Sequence, residues 1–323
     1  MAKKANEPEQ IPGTEEIIFK KGFIERYSSL TNWCEFKRYS LSFLRRSIRV
    51  NTLKATVEEV KKSIEAKGWK LDPVPWCKEG FWISHPDRRD VGNLIEHKLG
   101  KIYVQEAASM IPPVVLQPKP GELVLDMCAA PGSKTTQMAA MMNSEGMLIA
   151  NDYRGLRVQS LGINLQRSGI TNVLVTLMDG SWFKEFQFDR ILVDAPCSGT
   201  GTIRKSLKTI NMWNPGMVTK ICNQQKVLAK NAFLNLKPGG VMVYSTCSLE
   251  PEENEGVVDY LIETFPNEIN VEQIDLPGLK KANTVLEFKG KKYHPDVTKT
   301  LRVWPQDADT EGFFVAKIIK LKL

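Results

Sequence analysis

Five apolar runs, each closing on small, polar or acidic residues, recur between residues 122 and 247: ELVLDMC, GMLIANDY, NVLVTLMD, FDRILVDAP and GGVMVYSTC. The stretches SKTTQMAAMM, RVQSLGINLQRSG and KICNQQKVLAKNAFLNL lie between them, and ENEGVVDYLIETF follows the last. Short apolar runs bounded by turn signals and alternating with longer helical patterns describe parallel strands joined by helical crossovers. The pattern predicts a parallel α/β sheet with helices on both faces. In such sheets ligands bind outside the carboxyl ends of the strands.

Two of those ends carry thiols. Cys197 sits in ILVDAPCSGTG and Cys247 in VMVYSTCSLEPEENE. A thiolate adds readily to an electron-poor ring carbon. Either cysteine alone reads as a small buried hydrophobe. Two at one sheet edge, beside a nucleoside pocket, point to covalent chemistry on a base-like ring.

The pocket is outlined by three other strand ends. In LVLDMCAAPGSKTTQMA the strand closes at Asp126, and small Cys128, Ala129 and Ala130 let a ligand approach the backbone. Pro131 and Gly132 turn the chain, and Ser133, Lys134 and Thr135 open a helix whose first N–H groups can bind an anionic group. The loop matches neither GxGxxG nor GxxxxGK[ST], which argues against a dinucleotide fingerprint and a P-loop. Asp152, 26 residues after Asp126, is placed for ribose hydroxyls, and Asp179 for an adenine amino group. Asp194 projects with Cys197 from DAPCSGTG, and Glu252, Glu253 and Glu255 read as acids of a helix start.

Upstream, residues 1–14 read as a flexible start and 15–112 as a helical and RNA-recognition-like region, followed by a catalytic domain over 113–323. SIRVNTLK, VEEVKKSIEAKG, WKLDPVPWC and GFWISH give a strand–helix–strand–strand order. Nine Lys and Arg fall within 19–54 against Glu25 and Glu35, so this window alone carries the equivalent of the whole net charge of +7. Tyr27, Trp33, Phe36, Tyr39 and Phe43 interleave with them. Basic and aromatic residues together favour nucleic acid; the competing reading is an amphipathic helix whose aromatics are core. With no charged-apolar-small leader and no long apolar span, a cytoplasmic location is expected. None of the six cysteines forms a CxxC pair, so neither a zinc ribbon nor any other metal site is expected.

These residues resemble the NOL/NOP/Sun RNA cytosine-5 methyltransferases. The resemblance covers residues 45–320 through RVNTLK (49–54), YVQEAASM (103–110), DMCAAPGSKT (126–135), DAPCSGTG (194–201), KPGG (237–240), YSTCSLEPEENE (244–255) and RVWP…EGFFVAK (302–317). It implies a class I S-adenosylmethionine-dependent methyltransferase (Rossmann-like) sheet with a small N-terminal RNA-recognition-like α+β domain. It further implies methyl transfer from S-adenosylmethionine to carbon 5 of cytosine in RNA through a covalent cysteine adduct. By position, Cys247 is the nucleophile, Cys197 assists product release, and Asp194 and Lys134 hold the flipped base. Cys128, Ala129, Ala130, Pro131, Gly132, Ser133, Lys134, Asp152, Arg157, Asp179 and Asp194 bind the cofactor, and Arg49, Asn51 and Arg204 touch RNA. Ser133 stands where many members have Gly, and TIRKSLKTINMW lacks a frequent Pro-Asp after Gly201. Transfer RNA is the preferred substrate because the chain is compact, ribosomal RNA the alternative, and a monomer is expected. An RNA-binding assembly factor without turnover is the reading from a different class.

Overall fold

The computed structural model describes residues 8–322. Residues 8–14, expected as part of a flexible start, are instead tied down. The Ile11 N–H donates to the Leu41 carbonyl (2.9 Å), and the Phe43 N–H to the Glu9 carbonyl (2.8 Å). Residues 1–7 of that expected start lie outside the described residues. Two short helices follow, α1 (Lys21–Ser28) and α2 (Trp33–Ser40), the second capped by Asn32, which accepts from the Glu35 N–H. Phe23 stacks on Tyr27 (4.2 Å between centroids), and Tyr27 on Phe36 (4.9 Å), with Trp213 and Trp304 edge-on. Most aromatics of the basic window are therefore core, and they fasten this hairpin to the catalytic domain.

The next unit is β1 (Ser47–Val50), α3 (Val57–Glu65), β2 (Lys70–Pro73), β3 (Gly80–Ser84), α4 (Ile95–Lys98) and β4 (Ile102–Val104). Its antiparallel sheet runs β2-β3-β1-β4, the strand order of an RNA-recognition-like unit. Thr56 and Glu59 close a reciprocal capping box on α3. Strand alternation sends Ile48, Val50, Phe81 and Ile83 to a core shared with Val60 and Ile64 of α3. Arg49 and Trp82 face the other way.

The remainder is α5 (Ile111–Leu116), β5 (Leu123–Asp126), α6 (Ser133–Met141), β6 (Met147–Asp152), α7 (Gly155–Ser168), β7 (Val173–Leu177), β8 (Phe188–Asp194), α8 (Lys208–Met212), α9 (Pro215–Leu234), β9 (Leu236–Thr246), α10 (Glu255–Thr264), β10 (Ile269–Glu272), β11 (Glu287–Phe288), β12 (Lys291–Lys292), β13 (Leu301–Val303), α11 (Pro305–Ala308) and β14 (Phe313–Lys320). The expected boundary at 112 and 113 cuts through α5, whose Val115 and Leu116 pack on the large sheet.

That sheet runs β10-β14-β9-β8-β5-β6-β7, with β13 also paired to β14. The five strands read from the sequence are mutually parallel, β14 runs antiparallel to β9, and β10 forms the edge beyond it, antiparallel to β14. Successive residues serve opposite faces. Leu125, Ile191, Val193, Met242 and Tyr244 join α9 and α10, while Val124, Leu192 and Val243 join α5 and α6. The chain leaves β5 for β6 on one side and later returns to β8 on the other. A crevice opens at that reversal, at the carboxyl ends.

Candidate active site

Parallel pairing of β8 and β9 puts Asp194 opposite Ser245. Three residues beyond Asp194 and two beyond Ser245 come the two cysteines, with Cys197 Sγ and Cys247 Sγ 3.2 Å apart. The loop after Cys197 is locked to them. The Gly201 N–H donates to the Cys247 carbonyl (2.9 Å), and the Gly312 N–H to the Gly201 carbonyl (2.9 Å). Any Cβ at Gly201 would run into the Gly312 carbonyl oxygen, so only glycine fits.

Glu253, expected as a helix-start acid, is a buried bracket between the two cysteine loops. One carboxylate oxygen accepts from the Ser198 N–H (3.0 Å) and the Gln225 amide (2.9 Å), the other from the Ser248 hydroxyl (3.0 Å). Burial raises its pKa despite these donors. Glu250 is buried too, accepting from Tyr27 (2.8 Å) and Trp213 (2.7 Å) and pairing with Arg26. Glu255 alone fits the helix-start reading, in the first turn of α10, and it is also paired with Arg302 inside the protein. Sequence could not distinguish surface acids from these, because most of their partners are distant in the chain: Gln225 lies 28 residues from Glu253, and Tyr27 lies 223 from Glu250.

Below the thiols a cavity of about 430 Å3 extends toward α6. The Lys134 ammonium donates to Asp194 (2.7 Å) and to the Ser109 hydroxyl (3.0 Å), and the Ser245 hydroxyl donates to the other Asp194 oxygen (2.8 Å). Burial alone would lower the Lys134 pKa, but the adjoining Asp194 carboxylate outweighs it and raises the pKa, so Lys134 stays charged. The Cys197 pKa is raised well above its ordinary value by its hydrogen bond with Cys247 and by burial, so it stays a thiol at neutral pH.

Of the expected cofactor residues, Cys128, Ala129, Ala130, Pro131, Ser133, Lys134, Arg157 and Asp194 line this cavity, and Cys247 lines it as well. Gly132, Asp152 and Asp179 do not. Gly132 sets the turn at φ 105°, and Asp152 sits behind the wall, accepting from the Ala130 N–H (3.3 Å) and pairing with Arg157 (3.2 Å). Asp179 accepts from the backbone N–H and hydroxyl of Ser181.

Asp126, marked in the sequence only as a strand end, also faces the cavity. One of its oxygens accepts from Thr135 (2.7 Å); the other is buried at the cavity without a hydrogen-bond partner. Burial pushes this carboxyl up to about 7. An orphaned acid beside a small-residue loop and a helix N-terminus suits a ligand carrying an ammonium and polar ends, as the methionine moiety of S-adenosylmethionine does. Among the described residues no group of three His, Cys, Asp or Glu could hold a metal ion. No helix among them is long and apolar enough to cross a membrane.

The three expected RNA contacts are a correction. Arg49 is 2% exposed and donates to Gln105 (2.8 Å) and Thr136 (2.9 Å). Asn51 bridges the Gly100 and Ser168 carbonyls (both 2.9 Å). Arg204 binds the Phe43 and Thr310 carbonyls and pairs with Asp309 (2.7 Å). All three are internal ties, because a guanidinium or amide can satisfy several stranded carbonyls at once.

Residues 113–319 match a family described as 16S rRNA methyltransferase RsmB/F, and residues 19–107 match the N-terminal domain of 16S rRNA methyltransferase RsmF. The chain is 50% identical over 303 residues to the tRNA (cytosine(49)-C(5))-methyltransferase of Pyrococcus abyssi, covering 93% of this chain and 96% of that protein. It is 46% identical over 286 residues to the ribosomal RNA small subunit methyltransferase F of Shewanella oneidensis, but that match covers 86% of this chain and only 58% of the relative. A crystal structure of a methyltransferase homologue from Pyrococcus horikoshii, 36% identical, superposes with a TM-score of 0.84 over 95% of this chain and 97% of that one. NSun6 from Pyrococcus horikoshii with SFG, 23% identical, shares the fold, with a TM-score of 0.81 over 94% of this chain and 99% of that one.

Proposed function

This chain belongs to the RsmB/F (NOL/NOP/Sun) family of S-adenosylmethionine-dependent RNA cytosine-5 methyltransferases, and we propose that its substrate is transfer RNA. The observation that carries the chemistry is the pair of thiols 3.2 Å apart above a cavity holding the Lys134–Asp194 pair. Near-complete mutual coverage with the tRNA methyltransferase supports tRNA over rRNA, and makes cytosine 49 the first position to map.

In this reading Cys247 is the nucleophile. Its sulfur bonds to carbon 6 of a cytosine flipped out of its stack, and the displaced electron pair makes carbon 5 nucleophilic. Asp194, fixed by Ser245 and Lys134, receives the nitrogen edge of the base. Bound S-adenosylmethionine supplies an electrophilic methyl group activated on a sulfonium. Asp126 would take its ammonium, Cys128, Ala129, Ala130, Pro131 and Ser133 would line its edge, and Arg157 would stand at the pocket rim. After a base takes the carbon 5 proton, the carbon–sulfur bond breaks. The electron pair of that bond returns to Cys247, and Cys197, held as a thiol 3.2 Å away, donates a hydrogen bond to the departing thiolate.

The chemistry needs both thiols reduced, which suits a reducing compartment and a cytoplasmic site of action. The enzyme of this reading acts as a monomer. The reading is tested with unmodified tRNA and 16S rRNA transcripts, mapping 5-methylcytosine at single-base resolution. Methylation of tRNA at one cytosine is expected. Methylation confined to rRNA would move the substrate to the alternative, and cofactor binding without methylation of either would favour an assembly factor.

A further inference from the structure

A second groove, of about 460 Å3, opens on the N-terminal unit. Its walls come from the segment before β1 and from β3 with the turn that follows, and carry Arg45, Arg46, Arg88 and Arg89. The Arg45 guanidinium lies 4.1 Å over the Trp82 ring, Arg89 5.3 Å from Phe43, and Arg88 5.5 Å from Trp69. A guanidinium stacked on one ring keeps a second flat face, on which an unpaired base can stack.

The groove also holds acids, but two are already engaged. Asp72 pairs with Lys70 (3.0 Å), and Asp309 with the buried Arg204 (2.7 Å) and more loosely with Arg45 (3.9 Å), while Glu9 is exposed at the groove's edge. Arg88 is held by Asp90 (3.0 Å). Arg46 and Arg89 are exposed and make no ion pair among the described residues. Two exposed cations free of carboxylate partners therefore accompany the stacked Arg45, an arrangement suited to phosphates beside a base.

Position ties this groove to the chemistry. Asp309 lines it, and Glu311 lines the catalytic cavity. Two residues of extended chain span about 7 Å at most, so the openings are neighbours along one segment.

We propose that this groove holds the single-stranded RNA segment adjoining the target cytosine, with phosphates on Arg46 and Arg89 and a base against the Arg45–Trp82 stack. The proposal rests on the RNA methyltransferase reading and adds where its substrate lies.

The test is the double variant Arg46→Gln/Arg89→Gln, measured on tRNA and on 16S rRNA transcripts over a range of salt. On whichever RNA the wild type methylates, binding should weaken about tenfold near 0.2 M salt, and the salt slope should fall by about 1.4, for two lost contacts on a single strand. The turnover number at saturating RNA and the affinity for S-adenosylmethionine should hold. As a second readout, 4-thiouridine next to the target cytosine should crosslink to a peptide containing residues 43–46 or 82–89. An active wild type whose double variant keeps its affinity and slope, or crosslinks confined to other peptides, overturns the groove alone. A wild type inactive on both RNAs overturns the underlying reading and the groove with it.

Discussion

At the residue scale the site depends on buried carboxyls as much as on thiols. Glu253 joins the Ser198 and Ser248 loops, so Glu253→Gln removes a charged acceptor from both. We expect a lower turnover number with unchanged cofactor affinity, and a stability loss of about 1–3 kcal/mol by urea denaturation. Asp126 makes a pH prediction. Its carboxyl is held up to about 7 in the fold, against an ordinary 3.8. The native state keeps a proton that the unfolded chain releases near pH 4, so this group's contribution is full at low pH and is lost as pH rises through 7. The ligand-free wild type should therefore lose stability between pH 5 and 8, by on the order of 3 kcal/mol from this group. Asp126→Asn should flatten that decline, and parallel urea midpoints for the two proteins would contradict it. An ammonium bound against Asp126 favours the ionised form, so cofactor binding near pH 6 should release a proton, measurable by calorimetry in buffers of different ionisation enthalpy.

At the scale of elements, the parallel strands and both thiol-bearing loops were legible because apolar runs and turn residues are local signals. The roles of polar residues were not. Arg49 lies in a basic, aromatic window, yet its side chain ends inside the molecule, on Gln105 and on Thr136 of α6. Nothing within a few residues of Arg49 announces those partners. Arg49→Ala should lower the melting temperature and the turnover number while leaving the salt slope of RNA binding unchanged; a reduced slope would restore the original RNA-contact expectation. The aromatics of α1 and α2 are a similar case. Phe36 is fully buried between Tyr27 and Trp304. Phe36→Ala should cost about 3–5 kcal/mol and loosen the loop that Glu250 fastens through Tyr27 and Trp213, readable as faster amide exchange at residues 248–254.

At the scale of the whole molecule, the N-terminal unit is a wall of the active site. One face of its sheet has its own core, and the other is partly spent on contacts with the catalytic domain through Arg49 and Tyr103. Segment order was readable from the sequence, including the antiparallel unit ahead of the parallel sheet. The way the parts share one crevice was not, because pairing across more than 200 residues leaves no periodic trace, as with Arg26 and Glu250. In the proposed mechanism Cys247 bonds to RNA and Cys197 assists the breaking of that bond. It is tested most directly by incubating wild type, Cys197→Ala and Cys247→Ala with tRNA and labelled S-adenosylmethionine and resolving the products on a denaturing gel. A covalent RNA–protein band is expected in Cys197→Ala, free methylated RNA from wild type, and neither from Cys247→Ala. A covalent band in Cys247→Ala with none in Cys197→Ala would contradict it.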